Sequence, residues 1–229
     1  MAEVVIVLLL ALLALLGGHG THQAVCPPAD GLHDSLCGNV DGRAGEERVG
    51  IAFGPGSSVW LVVRFADHSI SKRIEDEETE NPSVDRSFIF VNGLAALDRR
   101  PGLEVVVTVH EGASTAFGQL FRLEKDALRR IPIPSFFGGD FPYEGSVTHF
   151  NVIDCARKRS GLIWISGYGL DDSSHYIQDR TLYRLAGDKL APVRRERSRP
   201  TVQQAGRFPE FAEPQPFPHC LVVRNARTA

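Results

Sequence analysis

Two segments of the chain repeat one pattern without a gap. Residues 120–131 and 182–193 carry leucine, an aromatic residue, arginine and leucine at the same offsets, followed by a matching aspartate and leucine. Each segment reads as a short alternating strand, a polar turn and a second short strand, which predicts a β-hairpin. A repeat constrains the fold strongly, because every copy has to form the same supersecondary unit.

A second matched block lies upstream of each hairpin. Asp41, Asp98 and Asp154 each follow an apolar segment, at spacings of 57 and 56 residues, and each precedes a loop and an apolar strand. The strands are rich in Val, Ile, Phe and Trp, as is typical of β-structure. They are predicted at residues 48–53, 103–109 and 162–165, with an outer hairpin of the first unit at 59–65 and 70–74. The chain therefore divides into three units, at about 38–84, 85–145 and 146–193.

The start of the chain has the pattern of an export signal. An unbroken apolar run from Val4 to Leu16 is too short to span a bilayer as a helix, which needs about 20 residues. Small residues follow it, and the pattern predicts a signal peptide at residues 1–20 and a mature chain that is secreted or held in the cell envelope. A buried helix of a cytosolic domain is the alternative. No second long apolar segment follows, so we expect no transmembrane segment in the mature chain.

The cysteines fit an oxidising compartment. Cys26, Cys37, Cys155 and Cys220 form an even set, which favours two disulfides in an exported chain, and four cysteines allow three pairings. The short separation of Cys26 from Cys37 favours the pairs Cys26–Cys37 and Cys155–Cys220. Residues 21–37 are accordingly predicted to form an N-terminal cysteine-containing segment.

The C-terminal region is expected to be irregular. Residues 194–218 are rich in Pro, Arg and Gln, a composition typical of a surface-running segment. The region 194–229 is therefore interpreted as a tail that ends in a short strand at residues 220–224. We expect this strand to cover an open sheet edge, held there by a Cys155–Cys220 disulfide.

The aspartate loops resemble a known repeat. Residues 41–47 and 98–104 share the pattern Asp-x-Arg-x-Gly-x-Glu, which resembles the FG-GAP or VCBS-type repeat of bacterial surface proteins and integrin α-like β-propellers. The resemblance covers about residues 38–193. It implies an all-β fold of three propeller-like four-stranded blades, with a twisted β-sandwich of the same strands as the alternative.

In that family the loop binds calcium through oxygen ligands at alternating positions. The resemblance carries this role to Asn39, Asp41 and Glu47 of the first loop. However, Arg43 occupies a position where the family has an acidic ligand, and Arg100 does so in the second loop. A guanidinium at such a position favours the alternative that arginine replaces the cation and bridges the loop's carboxylates.

Catalytic signals are sparse. Asp171 to His175 gathers acidic, hydroxyl and imidazole groups in one loop, and His110 and Glu111 begin a zinc-protease pattern whose second histidine is missing. The sequence therefore predicts no cofactor other than calcium, and a non-enzymatic module that binds an extracellular protein or glycan. A secreted hydrolase using the loops around His110 and Asp171–His175 is the alternative. The formal charge of −3 gives no reason to expect nucleic acid. Trp60 and Trp164 lie in apolar strands and are predicted core residues.

If arginine replaces calcium in these loops, millimolar calcium or a chelator leaves the melting temperature unchanged. A ligand that binds only the folded state stabilises it by about 2.7 kcal/mol at a hundredfold excess over its dissociation constant. Thermal melts with calcium and with chelator measure the difference. A rise in melting temperature with calcium that the chelator reverses would restore Asn39, Asp41 and Glu47 as metal ligands.

Overall fold

The fold is built from antiparallel β-strands. A computed structural model describes residues 26–75, 86–134, 138–207 and 215–228; the predicted signal peptide lies outside them. The strands are β1 His33–Gly38, β2 Glu47–Phe53, β3 Val59–Arg64, β4 Ser69–Arg73, β5 Phe90–Ala95, β6 Glu104–Glu111, β7 Ala116–Glu124, β8 Ala127–Ile131, β9 Phe141–Ser146, β10 His149–Cys155, β11 Leu162–Asp172, β12 His175–Ala186, β13 Lys189–Ser198 and β14 Leu221–Arg224. Helix α1 covers Val202–Ala205, and short 3-10 turns cover Pro55–Ser57, Arg86–Phe88 and Ala226–Thr228.

Three four-stranded antiparallel meanders follow one another along the chain. They are β1–β4, β5–β8 and β10–β13, and in each the aspartate loop lies at the junction of the first and second strands. Both predicted hairpins are confirmed, as β7–β8 and β12–β13. The all-β prediction is therefore confirmed.

The second and third meanders belong to one sheet. Strand β9 pairs with β7 on one side and with β10 on the other, so that these meanders form a continuous ten-stranded sheet beside the four-stranded sheet of β1–β4. Over the described residues, both sheets are open, with strands at their edges. This connection differs from the three separate blades expected from the repeat. Propeller blades stay a prediction, and sandwich-like packing of the sheets is equally compatible with the topology.

The second meander is buried on both faces. Val105 and Val107 of β6 pack towards Leu61 and its neighbours in the first sheet, whereas Val106 belongs to a second apolar cluster with Ile163 of the third meander. Because successive side chains of a strand point to opposite faces, a strand covered on both sides has to be apolar throughout. This burial explains the uninterrupted valine run in β6. Trp60 and Trp164 are only half-buried and belong to neither cluster, so their predicted core role is wrong.

The last strand closes the open side of the second meander. Strand β14 pairs antiparallel with β5, and the backbone N–H of Ala96 donates to the carbonyl of Cys220 at 3.0 Å. The predicted disulfides Cys26–Cys37 and Cys155–Cys220 are both present. The second disulfide attaches the segment before β14 to the end of β10, as the sequence predicted.

The tail is more ordered than its composition indicates. Strand β13 runs to Ser198, into the segment interpreted as irregular, because residues 194–198 continue the ladder with β12. Helix α1 follows directly, and Thr201 caps it through a reciprocal hydrogen-bond pair with Gln204.

The two disulfides are expected to differ in their contribution to stability. In the chain-entropy description, closing the 65-residue separation of Cys155 from Cys220 stabilises by about 4 kcal/mol, against about 3 kcal/mol for the 11-residue separation of Cys26 from Cys37. Denaturant unfolding of C155S/C220S and C26S/C37S measures both. A larger loss of unfolding free energy in C26S/C37S than in C155S/C220S would contradict the stabilising role assigned to the disulfide that attaches β14.

Candidate functional site

The three aspartate loops lie side by side at one end of the meanders. We name them loop 1 (residues 39–46), loop 2 (96–103) and loop 3 (156–161). Loop 2 contacts loop 1 through the backbone N–H of Leu103, which donates to the carbonyl of Asn39 at 3.0 Å. Loop 3 contacts loop 2 through the N–H of Gly161, which donates to the carbonyl of Leu97 at 2.8 Å. These backbone bonds join the loops into a continuous row, which is the candidate site.

Glycines permit the close contact between loop 1 and loop 2. A Cβ on Gly102, whose φ is +89°, would lie 2.6 Å from the carbonyl oxygen of Val40, and one on Gly42 would lie 2.4 Å from Cβ of Pro101. Both distances are shorter than any real contact of this kind, so only glycine fits. Gly42 of loop 1 and Gly102 of loop 2 thus permit loop-to-loop packing, whereas Gly45, which stands at the glycine position of the pattern in loop 1, has no such close contact.

Backbone N–H groups donate hydrogen bonds to the carboxylates of Asp41 in loop 1 and Glu47 at its end. Glu47 accepts from the N–H of Val40 at 2.7 Å, and Asp41 accepts from the N–H of Arg43 at 2.7 Å. The Arg43 side chain is three-quarters exposed and approaches Asp41 at 3.7 Å. Among the described residues it makes no ion pair with Glu47, so the expected bridge between the two carboxylates is not formed here.

The predicted calcium ligands each accept a backbone hydrogen bond, and their role in calcium binding stays a prediction. Oδ1 of Asn39 accepts from the N–H of Gly42 at 2.7 Å, so that all three candidate residues, with Asp41 and Glu47, already have N–H donors on their oxygens. Within residues 26–75, 86–134, 138–207 and 215–228, no group of three or more His, Cys, Asp or Glu side chains is placed to hold a metal ion.

An arginine bridges the carboxylates of Asp98 and Glu104, as the sequence predicted, but this arginine is Arg122 and not Arg100. Arg122, from β7, donates to Asp98 Oδ2 at 2.8 Å, to Glu104 Oε1 at 3.0 Å and to the carbonyl of Gly187 at 2.9 Å. The side chains of Arg122 and Glu104 are 8% and 3% exposed. Burial raises the pKa of Glu104, and the charge of Arg122 opposes that rise.

Arg100 lies outside this buried bridge. It contacts Asp98 at 3.3 Å and Glu124 at 3.3 Å, donates to Gly187 O at 2.9 Å, and is 42% exposed. The repeated Leu-aromatic-Arg-Leu segment contained the signal for Arg122, because an arginine recurring inside an apolar strand needs a buried anionic partner. That partner, Glu104, lies opposite it across the β6–β7 ladder.

The third meander has an arginine at the position of Arg122 but no acidic residue at the position of Glu104. Arg184 matches Arg122 in the repeat, but its ladder partner is Leu162, so it is exposed and has no ion pair among the described residues. Asp154 instead accepts from the backbone N–H of His219 at 3.2 Å and contacts its ring. Burial raises the pKa of Asp154, and His219 opposes the rise.

Two depressions follow the row of loops. One of about 380 Å³ lies between loops 1 and 2, and one of about 500 Å³ lies between loops 2 and 3. Arg159 lines the first, and Arg99 and Arg184 line the second. None of these three side chains has a hydrogen bond or ion pair with any other residue that the structure describes, so their charges face the depressions and solvent.

The predicted catalytic residues do not converge. His110 lies at the end of β6 and stacks on Phe117 with ring centroids 5.6 Å apart. His175 lies at the β11–β12 turn, where it contacts Asp172 at 3.2 Å and Ser174 at 2.9 Å. No hydrogen bond between described residues joins the two histidines.

Asp172 has the contacts of a turn residue. Its Oδ1 accepts from the N–H and hydroxyl of Ser174 and from the N–H of His175, and its Oδ2 pairs with Arg199 at 2.7 Å. Hydrogen bonds from Ser174 lower its pKa. A carboxylate stabilised by so many donors is a weak base, which argues against general-base catalysis at this turn.

Glu144 in β9 was not predicted as a site residue. It is half-buried, adopts a left-handed backbone conformation with φ of +64°, and lies opposite Asn151 of β10. Burial, with a smaller effect of the Glu111 charge, raises the pKa of Glu144 to about 7. No motif surrounds it in the sequence, and its environment comes from the pairing of β9, so sequence patterns contained no signal for it.

No protein-family model, curated protein or solved structure matches the chain. No helix in the described part of the chain is long and apolar enough to cross a membrane. The two disulfides indicate an oxidising, extracytoplasmic environment.

The raised pKa of Glu144 predicts a pH-dependent stability. A carboxyl group whose pKa is higher in the folded state contributes stability that is fully present below its ordinary pKa and is lost as the pH rises through about 7. Glu144→Gln should therefore match the wild type in melting temperature in mild acid and exceed it in mild alkali. Glu46→Gln, at an exposed glutamate, is the control. An equal shift at both pH values would contradict this assignment.

Proposed function

We propose that the protein is a secreted or cell-surface binding module, without enzymatic activity, whose ligand-contacting face is the row of aspartate loops. The ligand is an extracellular protein or glycan that presents acidic groups. The observation that supports this function best is that the guanidinium groups of Arg99, Arg159 and Arg184, along the two depressions, have no partner among the described residues.

The charge distribution favours an acidic ligand. The whole chain has a formal charge of −3, whereas these three arginines line the two depressions with one acidic residue in each, Glu46 and Asp98, so positive charge is concentrated at this face. Planar guanidinium groups bind carboxylate and sulfate groups through paired hydrogen bonds. The shallow shape of both depressions suits the surface of a macromolecule better than an enclosed small molecule.

The fold and the disulfides agree with this proposal. The bonds from loop to loop hold the arginines on a rigid row, which lowers the entropic cost of binding. The resemblance of the loops to FG-GAP or VCBS-type repeats, which occur in surface and adhesion proteins, points to the same class of function. A secreted hydrolase has less support, because His110 and the Asp171–His175 turn do not form one site and Asp172 is saturated with donors.

The proposal is tested by titrating a sulfated oligosaccharide and an oligoglutamate against the wild type and R159Q/R184Q. The double variant should bind the preferred probe about tenfold more weakly, because two charge-assisted contacts are lost. R129Q/R207Q, which changes two exposed arginines elsewhere, is the matched control and should bind like the wild type.

The preferred probe distinguishes a glycan from a protein ligand. Equal binding by R159Q/R184Q and the wild type, or a loss of the same size in R129Q/R207Q, would show that the row of loops is not the binding face.

A further inference from the structure

Strand β13 forms an open edge of the ten-stranded sheet. It is ten residues long, pairs with β12 on one side, and has no backbone partner among the described residues on the other. Most of its side chains are exposed. An edge of this kind presents unpaired N–H and C=O groups that another extended chain can bind.

The edge has an excess of positive charge. Lys189, Arg194, Arg195 and Arg197 are basic, and Glu196 is the one acidic residue within the strand. On one face, Arg195 and Arg197 share Asp179 at 3.7 and 3.9 Å and remain 76% and 68% exposed. Ion pairs this long and this exposed are weak, so both guanidinium groups are available to a further anion.

The opposite face holds its arginines in fixed positions. The guanidinium groups of Arg180 and Arg194 lie 4.4 and 5.5 Å from the ring centroid of Trp164, and both contact Glu196. Cation–π stacking on Trp164 and the ion pair with Glu196 hold the Arg194 side chain in one position beside the edge. The half-buried Trp164 thus serves as a platform for basic residues at the edge.

Only the second half of the strand is regular enough to pair. The ladder with β12 is interrupted between Leu182 and Tyr183, where Val193 bulges next to Pro192, and it continues regularly from Arg194 to Ser198. Proline and bulges deter pairing along the first half. The regular half coincides with the arginine-rich segment.

A second copy of the chain that pairs antiparallel about Glu196, the centre of the regular half, is a poor occupant of this edge. Antiparallel self-pairing centred on Glu196 would place Arg195 opposite Arg197 twice, and like charges directly opposite each other destabilise a β-pair. An acidic strand would instead meet a guanidinium at each of these positions.

We infer that the Arg194–Ser198 edge of β13 binds an extended acidic segment of a partner protein by adding it to the sheet as a further strand. Backbone hydrogen bonds supply the pairing, and the alternating arginines select glutamate or aspartate on the partner. This surface is separate from the row of aspartate loops, so it adds a second contact to the proposed binding module.

The test uses a short synthetic peptide that alternates glutamate and threonine, titrated against the full chain. R195E/R197E should bind it about tenfold more weakly, because favourable charge pairs become repulsive. R129E/R207E changes the net charge equally at exposed positions elsewhere and should bind like the wild type. In R159Q/R184Q the peptide should still slow hydrogen exchange of the backbone amides at residues 194–198, which separates the inference from the function of the loops.

Two measurements on the wild type separate strand addition from charge attraction. The same peptide with N-methylated backbone amides should not bind, because it retains its carboxylates but has lost the donors that pair with β13. Hydrogen exchange of the backbone amides at residues 194–198 should slow when the unmodified peptide is bound.

Binding of the N-methylated peptide as tightly as the unmodified one would overturn the inference. So would binding without slower exchange in β13, or binding that survives in R195E/R197E. Tighter binding of a sulfated oligosaccharide to the same residues, with no binding of the acidic peptide, would assign this surface to a polyanionic glycan instead.

Discussion

The guanidinium of Arg122 lies where the second meander meets the third. It joins Asp98 of loop 2 and Glu104 at the start of β6 to the carbonyl of Gly187 at the β12–β13 turn, and it is almost completely buried. Burial of a charge is costly unless oppositely charged groups and hydrogen bonds surround it. The two carboxylates and the carbonyl meet this requirement, so the position of loop 2 and that of the β12–β13 turn are coupled through one side chain.

The arrangement of the loops depends on this coupling. Loop 2 lies between loop 1, which it contacts through Pro101 and Gly102, and loop 3, which it contacts through Leu97. The arginines of the candidate site lie on loops 2 and 3 and on β12, whose relative positions Arg122 helps to set. Burial raises the pKa of Glu104, and the charge of Arg122 opposes that rise. Because desolvation of a buried ion pair offsets much of its attraction, we expect the bridge to fix the arrangement of loop 2 and the β12–β13 turn more than to add net stability.

Much of the strand order was predictable from the sequence, because it rests on local patterns. The alternation in residues 120–131 and 182–193 predicted both hairpins, and the separation of the cysteines along the chain favoured the disulfides that are present. The aspartate loops lie between strands, as expected, but Arg100 was assigned a role that belongs to Arg122. The partner of a buried arginine is chosen by strand register across 18 residues of chain, which a loop motif does not contain. The joining strand β9 and the environment of Glu144 were missed for the same reason, since both arise from non-local pairing.

The most direct test of the buried bridge is a double-mutant cycle between Glu104 and Arg122, with the free energy of unfolding measured in denaturant. Arg122→Met leaves Glu104 buried without its counter-charge, whereas Asp98 keeps Arg100 at 3.3 Å, and should cost about 3–5 kcal/mol. Glu104→Gln added to Arg122→Met removes the buried charge, so the double variant should be more stable than Arg122→Met alone, with a coupling energy of about 2 kcal/mol. Additive effects, with a double variant less stable than either single one, would contradict the account.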